Sequence, residues 1–401
     1  MENLIKFVSN EQMDNLISPC AFRPLKVNYI YDPEKANKYC IQDIEHTLNM
    51  FDHSIKADFI PIRDLFSNNS QDELQSVIAN LTKTYNDIYA DFTGTSVGAV
   101  LNAFGYITAK GIKSFSVDIM KDEVIQLAGF SSGEKLSYVT PHFNVKQIIS
   151  AHGASAMRSG RPTPLFKYFP ILKKLSVIIL GDLDVWKKQG KFLQKAQAHY
   201  SEGLHVECDT SLNIGSERVY LDDHFLYSLY EAGALDYANI KNKRASFKFH
   251  DNFIKDCLCD IGIWAEVITY ITALQSGFFD DVQMSVKIDW DGEREDIKFG
   301  SAFNEIDNIC VKGYIPLFIS CKTSEPSIEA INELYLYANH FGGAGAKCAI
   351  VTLGDMKSKQ VYFSGIDKRA HDLGISLIDY ADIRDGFLAK KLQEAIGNRL
   401  L

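Results

Sequence analysis

The sequence lacks the features that mark several common protein classes. It has no run of about 18 apolar residues, so no membrane-spanning helix and no membrane partner is predicted. Its eight cysteines include no C-x-x-C pair, which makes a zinc site unexpected and predicts buried free thiols in a reducing compartment. The N-terminal residues MENLIKFVSNEQ turn polar too early for a secretory signal. Together these absences predict a cytoplasmic protein.

Glycine-rich nucleotide-binding fingerprints are missing as well. Neither G-x-G-x-x-G nor a Walker motif occurs, so no dinucleotide or nucleoside triphosphate is implied and a Rossmann oxidoreductase is disfavoured. The chain does have 401 residues, 46% of them hydrophobic and 23% charged, which is enough for two or three globular domains. Its net charge of -9 argues against a broadly basic surface, but a local basic channel would still allow nucleic-acid binding.

The first 142 residues alternate between strand and helix patterns. Strands are predicted at 4–8, 26–31, 57–62 and 87–92, helices at 11–20, 33–50, 70–85 and after 93, and a closing hairpin at 112–118 and 123–127. Pro33 is expected at a helix start, and Ser70 with Glu73 is expected to form a capping box. This alternation of strands and helices predicts an α/β protein whose residues 1–142 form a Rossmann-like domain with a mostly parallel sheet.

The alternation stops at residue 143. Residues 143–250 combine a short helix ending at Gly153, a linker, a lysine-rich helix, a further helix and two strand-like runs around the turn KNKR. This order predicts a winged-helix-like connector, with an irregular extension of the last domain as the open alternative. Residues 251–401 read as a helix pair, three strands, a helix, a strand, a helix, a strand and a closing helix. That order is typical of restriction-endonuclease-like folds.

Three charged residues of the last domain suggest a metal-dependent nuclease. Asp307 lies in the predicted strand NEIDNICVKG, Lys322 ends the strand IPLFISCKT, and Glu266 lies on the preceding helix. Such nucleases use carboxylates to hold Mn²⁺ or Mg²⁺ on the scissile phosphate and a lysine to offset the developing negative charge. Each residue taken alone could be an ordinary surface charge. Their combination and order favour the nuclease.

A family resemblance supports the same interpretation. The segments GIWAE, NEID and FISCK resemble PD-(D/E)XK nucleases that are fused to a CRISPR-associated Rossmann fold (CARF) sensor domain. The pair His152-Gly153 is also similar to this family. The resemblance implies an effector of type III CRISPR antiviral defence, activated allosterically by cyclic oligoadenylate, with cyclic tetra-adenylate as the expected ring. It also implies a nuclease domain over 251–401 that cleaves DNA or RNA.

Ser320 departs from the resembled motif, which has an acid two residues before the lysine. In the family this acid is a metal ligand, and so is the backbone carbonyl of the next residue, here Cys321. Some branches carry Ser-x-Lys and take the second acid from the following helix, where Glu329 and Glu333 share one face. Glu333 is our first choice for the migrated ligand, although both acids could be solvent-exposed helix charges.

Two segments of the first domain, FVSNEQMDN and DFTGTSVG, resemble the ligand-binding loops of CARF sensors. The residues expected to bind cyclic oligoadenylate are Ser9, Gln12, Asn15, Thr93, Gly94, Thr95 and Ser96. A turn that opens a helix offers N–H groups and hydroxyls to an anion, but helix capping by Ser or Thr would also explain these residues. In CARF domains two such loops meet across a two-fold axis, so the resemblance implies a homodimer.

A second function stays open at the level of the sequence. The hairpin DYANIKNKRASFKFHD and the serine at position 320 would also fit a CARF winged-helix transcriptional regulator with an inactive nuclease fold. Metal-dependent cleavage that is lost in Asp307→Ala would exclude that alternative.

Overall fold

The N-terminal domain is built on a six-stranded sheet. A computed structural model describes residues 1–36, 38–65, 70–157, 165–290, 303–354, 356 and 364–397 of the protein. The sheet order is β3-β2-β1-β4-β5-β6, parallel except for the antiparallel β5–β6 pair. This confirms the predicted Rossmann-like sheet with its closing hairpin. Its elements are β1 Asn3–Phe7, α1 Gln12–Phe22, β2 Lys26–Tyr31, α2 Lys38–Phe51, β3 Lys56–Pro61, α3 Gln71–Thr84, β4 Ile88–Asp91, α4 Val97–Ala109, β5 Lys113–Asp118 and β6 Glu123–Ala128.

Two local expectations in this domain are wrong. Pro33 does not start α2, because it lies in a turn and the described helix begins at Lys38. Ser70 does precede α3, but it makes no side-chain capping hydrogen bond to the helix. Its hydroxyl instead donates to the carbonyl of Asp64 at 3.0 Å. A Ser-x-x-Glu spacing therefore marks the helix start correctly without fixing how the serine is used.

The middle of the chain packs two long helices against small antiparallel sheets. Strands β12 and β13 form the expected hairpin, which extends into a four-stranded sheet of order β12-β13-β9-β8, and β10 pairs with β11. The sequence missed β8 to β11, because strands of two to five residues are too short to show a clear period. The elements are α6 Phe169–Gly181, α7 Leu183–Tyr200, β8 Ser201–Glu202, β9 His205–Asp209, β10 Ser211–Ile214, β11 Glu217–Tyr220, α8 Asp223–Glu231, β12 Leu235–Lys241 and β13 Arg244–Phe249.

A second six-stranded sheet forms the C-terminal part. Its order is β18-β17-β16-β15-β14-β7, with β16, β17 and β18 parallel and the remaining pairs antiparallel. The predicted strand and helix order is present. The elements are α5 Val145–Ala151, β7 Ser155–Met157, α9 Asn252–Cys259, α10 Ile261–Gln275, β14 Asp281–Asp289, β15 Phe303–Lys312, β16 Ile315–Lys322, α11 Ile328–Gly342, β17 Lys347–Thr352, α12 Ser364–Asp372, β18 Ile375–Ile378, α13 Tyr380–Arg384 and α14 Leu388–Ile396.

The segment after residue 143 contributes to this second sheet. Strand β7 pairs antiparallel with β14, joining Ser155 to Asp289, and α5 packs between α2 and the same sheet. The structure thus places α5 and β7 with the C-terminal sheet, whereas the sequence assigned them to the connector. The boundaries 1–142, 143–250 and 251–401 stay predictions.

The N-terminal domain and the C-terminal sheet share one apolar core. Leu16 and Tyr29 of the first domain belong to the same buried cluster as Phe318 and Phe341 of the last. A second cluster joins the middle of the chain to the other face of the C-terminal sheet through Trp186, Phe247 and Trp264. Burial of apolar surface therefore fixes each part of the molecule against the C-terminal sheet.

No single helix in the described ranges is long and apolar enough to span a membrane. Helices α9 and α10 meet the criterion of length and composition only as a pair, and they are bent by 114° relative to each other.

All eight cysteines lie in the described part of the chain, and none forms a disulfide. Seven are buried and Cys40 is half-buried. Burial raises the pKa of the Cys310 and Cys348 thiols, which keeps them protonated at neutral pH. The prediction of free and mostly buried thiols is confirmed.

Candidate functional site

A small pocket between β15, β16 and α11 brings together four of the residues predicted to be catalytic. Its volume is about 80 Å³, and Asp307, Ser320, Lys322 and Glu333 all line it. Residues on β16 alternate between two faces, so Cys321 enters the core while Ser320 and Lys322 reach the pocket, which Ile319 also lines. The pairing of β15 with β16 thus places an acid and a lysine that are distant in sequence at one point.

Asp307 lies where β15 and β16 separate. The last paired residues of their ladder are Asn308 and Ile319. Beyond this pair the N–H of Cys321 donates to Oδ2 of Asp307 at 2.6 Å, and the Ser320 hydroxyl donates to the same oxygen at 3.3 Å. The carboxylate therefore takes the place of a backbone partner, and its position is fixed by two donors.

The ionisation of Asp307 reflects burial opposed by its donors. Burial raises the pKa of Asp307 above its ordinary value, and the Cys321 amide, the charge of Lys322 and the Ser320 hydroxyl only partly offset that effect. A bound cation would favour the ionised carboxylate. In the absence of such a cation, ionisation of Asp307 lowers the stability of the folded protein relative to the unfolded chain.

The structure does not bring Glu266 to this pocket. Its Oε2 accepts a hydrogen bond from the Ser285 hydroxyl at 3.2 Å, and its backbone carbonyl accepts one from Asn308 at 3.1 Å. Glu266 lies on α10, which packs on the Cys321 face of β16, and it does not line the pocket. The position of Glu266 on the helix before these strands suggests an outer metal ligand or a residue that holds a water molecule, and this role stays a prediction.

The two helix acids differ in position. Glu333 lines the pocket, and its Oε1 accepts a hydrogen bond from the Tyr337 hydroxyl at 2.7 Å. Glu329 lies in the first turn of α11, where its own backbone amide and Ser327 lower its pKa. Of the two, Glu333 is the acid that shares a pocket with Asp307.

The donor set fits a hard divalent cation that keeps part of its water shell. Within the described residues no group of three or more His, Cys, Asp and Glu side chains gathers in a metal-binding arrangement. The pocket offers two carboxylates, Asp307 and Glu333, and Mg²⁺ in proteins is commonly held by one or two carboxylates and several waters. Mn²⁺ accepts the same oxygen ligands.

The Cys321 thiol is not part of this donor set. Burial raises its pKa well above the ordinary value, and the sulfur interacts with Thr269 at 3.6 Å and Asn308 at 3.5 Å on the core side. A protonated, buried thiol is a poor metal ligand. The backbone carbonyl of Cys321 is therefore the group of this residue to which the predicted metal contact applies.

The loop before α1 is held by a buried asparagine. Asn15 is fully buried, its Oδ1 accepts from the N–H of Ser9 at 2.7 Å, and its Nδ2 donates to the Ser9 carbonyl at 3.0 Å. The Ser9 hydroxyl donates to Asp14 at 3.0 Å. Asn15 thus shapes the predicted ligand loop from inside, and its amide is already used.

Thr93 is also buried and engaged within the protein. Its hydroxyl donates to Oδ1 of Asp91 at 2.5 Å and accepts from the N–H of Val117 at 2.8 Å. Its carbonyl accepts from Nζ of Lys6 at 2.5 Å, and Lys6 is also paired with Asp91 at 2.9 Å, with both side chains 0% exposed. This buried ion pair anchors the second predicted ligand loop.

The rest of the second loop faces solvent or lacks partners. Gly94 and Ser96 are exposed, and Ser96 caps α4 by accepting from the N–H of Ala99 at 3.4 Å. The Thr95 hydroxyl and Oε1 of Gln12 are buried and have no hydrogen-bond partner among the described residues. Because buried polar atoms are almost always paired, each of these two atoms would gain from a hydrogen bond with a ligand or a water molecule.

The two predicted loops touch each other through a glycine. A Cβ atom built on Gly94 would lie 1.9 Å from Oδ2 of Asp14, and the φ of Gly94 is +65°. Only glycine allows this approach. Burial raises the pKa of Asp14, while Lys6 and Ser9 act in the opposite direction.

The first loop also contacts the C-terminal domain directly. Oε2 of Glu11 accepts a hydrogen bond from the N–H of Ala344 at 3.1 Å, just after α11. Oε1 of Glu11 lies 3.5 Å from Nε2 of His152, whose Nδ1 contacts the carbonyl of Ile148 at 2.8 Å. Burial alone raises the pKa of Glu11, but His152 and the amide of Ala344 outweigh it and lower the pKa.

Several residues of these sites carried no recognisable signal in the sequence. Lys6 reads as one polar residue in an apolar strand, and Asp14 and Asp91 read as surface acids. Tyr337 follows Glu333 at helical spacing, which is the one local pattern that predicts a contact between them. The contact of Glu11 with Ala344 joins residues that are far apart in sequence.

Comparison with solved structures shows the same overall fold in proteins of low sequence identity. No protein-family model and no curated protein sequence matches the chain. The crystal structure of protein VC1899 from Vibrio cholerae superposes with a TM-score of 0.76 at 17% identity and covers 98% of both chains. Can2 from Sulfobacillus thermosulfidooxidans, solved in complex with cyclic tetra-adenylate, gives a TM-score of 0.66 at 16% identity, covering 98% of this chain and 97% of Can2.

A third similar structure is a type III CRISPR defence DNA nuclease activated by cyclic oligoadenylate. It gives a TM-score of 0.52 at 13% identity and covers 88% of this chain but 45% of that protein. At these identities the similarity establishes the fold. The chain has the α/β fold of Can2, which confirms the predicted α/β fold class with its Rossmann-like first sheet.

Proposed function

We propose that the protein is a CARF effector of type III CRISPR defence: a cytoplasmic, metal-dependent nuclease activated by cyclic tetra-adenylate. The observation that carries the proposal is the pocket in which Asp307, Ser320, Lys322 and Glu333 meet. The fold is similar to that of Can2, which was solved with cyclic tetra-adenylate, and this supports the proposed activator. The fold is also similar to that of a DNA nuclease activated by cyclic oligoadenylate, and this supports the proposed nuclease activity.

The pocket supplies the groups that phosphodiester hydrolysis requires. A divalent cation bound there would polarise the scissile phosphate and activate a water molecule. Asp307 and Glu333 would hold it, with the Cys321 carbonyl as a further oxygen ligand. Ser320 and the Cys321 amide orient the Asp307 carboxylate. Lys322 places a positive charge in the same pocket, where it would stabilise the negative charge of the transition state.

The activator would bind at the two loops of the first domain. The exposed N-terminus of α4 at Gly94 and Ser96 suits a phosphate, since helix N-termini attract anions. Thr95 and Gln12 offer buried polar atoms without partners among the described residues. Thr93 and Asn15 would act indirectly by holding the loops, because their side chains are engaged inside the protein.

A homodimer would complete such a site around a symmetric ring. Val97 and Leu101 of α4 are each 75% exposed and lie one helical turn apart, directly after the proposed ligand loop. Exposed apolar residues at this spacing suit a helix that packs against its own copy across a two-fold axis. We propose this face of α4 as the dimer contact.

Gating would use the direct contact between the domains. Glu11 lies in the activator loop and binds the end of α11, the helix that carries Glu333. An activator shifts an equilibrium only by its difference in affinity for the two states, and a hundredfold gain in active population requires about 2.7 kcal/mol. Contacts of the ring's phosphates and adenines with both subunits would provide that difference.

One alternative function keeps a specific observation in its favour. Ser320 replaces an acid in the resembled motif, and β12 and β13 form the hairpin expected of a winged helix. A transcriptional regulator with the same sensor and an inactive nuclease fold would share these features. This alternative predicts activator binding without cleavage.

The test is incubation of the full-length protein with Mn²⁺ or Mg²⁺, labelled DNA and RNA, and a panel of cyclic oligoadenylates. We expect cleavage that requires both metal and ring, and a loss of about a hundredfold or more in Asp307→Asn and in Lys322→Ala. Both variants should keep the parent's activator affinity. Cleavage at the parent's rate in both variants would sink the site assignment, and equal rates with and without cyclic tetra-adenylate would exclude gating.

A further inference from the structure

A chain of three hydrogen bonds ends at Glu333. Nε1 of Trp290, directly after β14, donates to Oδ1 of Asn304 on β15. Nδ2 of Asn304 donates to the hydroxyl of Tyr337 at 2.6 Å. That hydroxyl in turn donates to Oε1 of Glu333 at 2.7 Å. We call Trp290, Asn304 and Tyr337 the relay.

The direction of the relay follows from its chemistry. An indole N–H can only donate, so Asn304 must present its oxygen to Trp290 and its NH₂ group to Tyr337. The Tyr337 hydroxyl accepts that bond, and its single proton is then directed to Glu333. The ordinary pKa of a tyrosine hydroxyl is about 10, which is far above neutral pH. Tyr337 therefore remains a donor at neutral pH.

The first member of the relay is held by packing. The Trp290 ring stacks on His340 with 4.5 Å between centroids and packs edge-on against Phe341 at 4.9 Å. Its centroid lies 6.1 Å from that of Tyr337. Because the ring is fixed, the indole N–H points in a fixed direction. This direction orients Asn304 and, through it, Tyr337.

We propose that Tyr337, oriented by Asn304 and Trp290, is a positioning residue that holds Glu333 as a metal-binding acid; this rests on the proposed function. Glu333 lies on an exposed helix face, where a free glutamate side chain samples many rotamers and loses that freedom when it binds a cation. The relay ties Oε1 and leaves Oε2 for a cation shared with Asp307. Position 320 carries a serine, so the second carboxylate comes from a helix. The relay compensates for this by ordering the side chain of Glu333.

The first test is Mn²⁺ binding to the full-length protein, measured by titration calorimetry without nucleic acid or activator. Tyr337→Phe removes the donated proton and keeps the ring. We expect its affinity for Mn²⁺ to fall about tenfold or more, as is usual when a partner of a metal ligand is removed. Tyr335→Phe is the matched control, because Tyr335 is exposed on the same helix and does not line the pocket. Its affinity should equal the parent's.

A second variant tests the direction of the relay. In Asn304→Asp the carboxylate can only accept, so it would draw the Tyr337 proton away from Glu333 although the tyrosine is still present. The added negative charge alone would strengthen cation binding, so a loss of affinity points specifically to the relay. If Tyr337→Phe weakens Mn²⁺ binding and Asn304→Asp does not, the proposal keeps Tyr337 and loses Asn304 and Trp290.

Cleavage kinetics separate positioning from general damage. Tyr337→Phe should need about tenfold more Mn²⁺ for half-maximal cleavage yet approach the parent's rate at saturating metal. A lower rate at every metal concentration would instead indicate a structural role and overturn the proposal, as would parental Mn²⁺ affinity in both variants. If the parent itself binds no Mn²⁺, or if Asp307→Asn binds it as tightly as the parent, the proposed function fails and not the relay alone. Thermal unfolding checks that each variant is folded.

Discussion

A Cβ atom built on Gly343 would lie 2.2 Å from Oε1 of Glu11. Gly343 is the residue that ends α11, and its φ of +69° is one that other residues rarely adopt. Glu11 belongs to the proposed activator loop. The helix that carries Glu333 therefore ends against that loop, at a distance that only a glycine permits.

Gly343→Ala should uncouple activation from activator binding. The methyl group would displace Glu11 and His152, so we expect the ratio of cleavage rates with and without cyclic tetra-adenylate to fall about fivefold or more. Gly345→Ala is the control, because a Cβ atom there meets no heavy atom within 4 Å. The measurement is the rate of cleavage across an activator titration. An unchanged ratio in Gly343→Ala would show that the activator affects the cleavage site through other contacts.

Gly94→Ala should weaken activator binding. The new methyl group would collide with the Asp14 carboxylate and push the two ligand loops apart, so we expect at least about a tenfold loss of affinity for cyclic tetra-adenylate. Gly111→Ala shares the backbone strain, with φ of +70°, but meets open space. Calorimetric titration of the ring into both variants measures the difference. Equal affinities would place the activator away from these loops.

Glu333→Gln should impair cleavage more than Glu329→Gln. Both changes remove one negative charge from α11, but only Glu333 lines the pocket with Asp307. We expect about a tenfold or larger loss for Glu333→Gln and parental rates for Glu329→Gln, measured at a fixed subsaturating Mn²⁺ concentration. Should both variants match the parent, the metal is held without a helix acid, with Ser320 or water in its place.

Asp307→Asn should stabilise the metal-free protein at neutral pH. The pKa of Asp307 is raised in the folded state, so the folded protein binds a proton more readily than the unfolded chain. Ionisation of this group lowers the stability as pH rises from the ordinary Asp value through the raised pKa, and the penalty is complete above it. The asparagine variant avoids the penalty, so its melting temperature should exceed the parent's at pH 7. The difference should vanish below about pH 3.8, the ordinary pKa of Asp. A variant less stable than the parent at pH 7 would refute this account.

The architecture was predictable because each strand and helix of the first domain carries its own period and its own stop signals. The ligand loops were predictable only in position. Ser, Thr and Asn in a turn can face a ligand or bind the backbone beneath it, and the local sequence is the same in both cases. Thr93 proves to be bound to the buried pair of Lys6 and Asp91, and Asn15 to the backbone of Ser9.

The candidate pocket likewise combines residues that the sequence predicted with residues that it did not. Asp307, Lys322 and Ser320 were predictable because strand pairing places them together, whereas Glu333 was chosen from the resemblance to families that take the second acid from the following helix. Trp290 and Asn304 were missed, since their contacts to α11 depend on how the helix packs over the sheet. Glu266 has the expected sequence order but lies on the other helix layer, which order alone does not reveal.

The shared apolar core limits how this protein could exchange parts with its relatives during evolution. Leu16 and Tyr29 pack in the same cluster as Phe318 and Phe341, and α5 lies between α2 and the C-terminal sheet. A first domain cut out at residue 142 would expose these contacts to water and lose the helix that covers them. Recombination that exchanged the first domain between proteins of this fold would therefore succeed only if α5 and its facing core residues moved together with that domain.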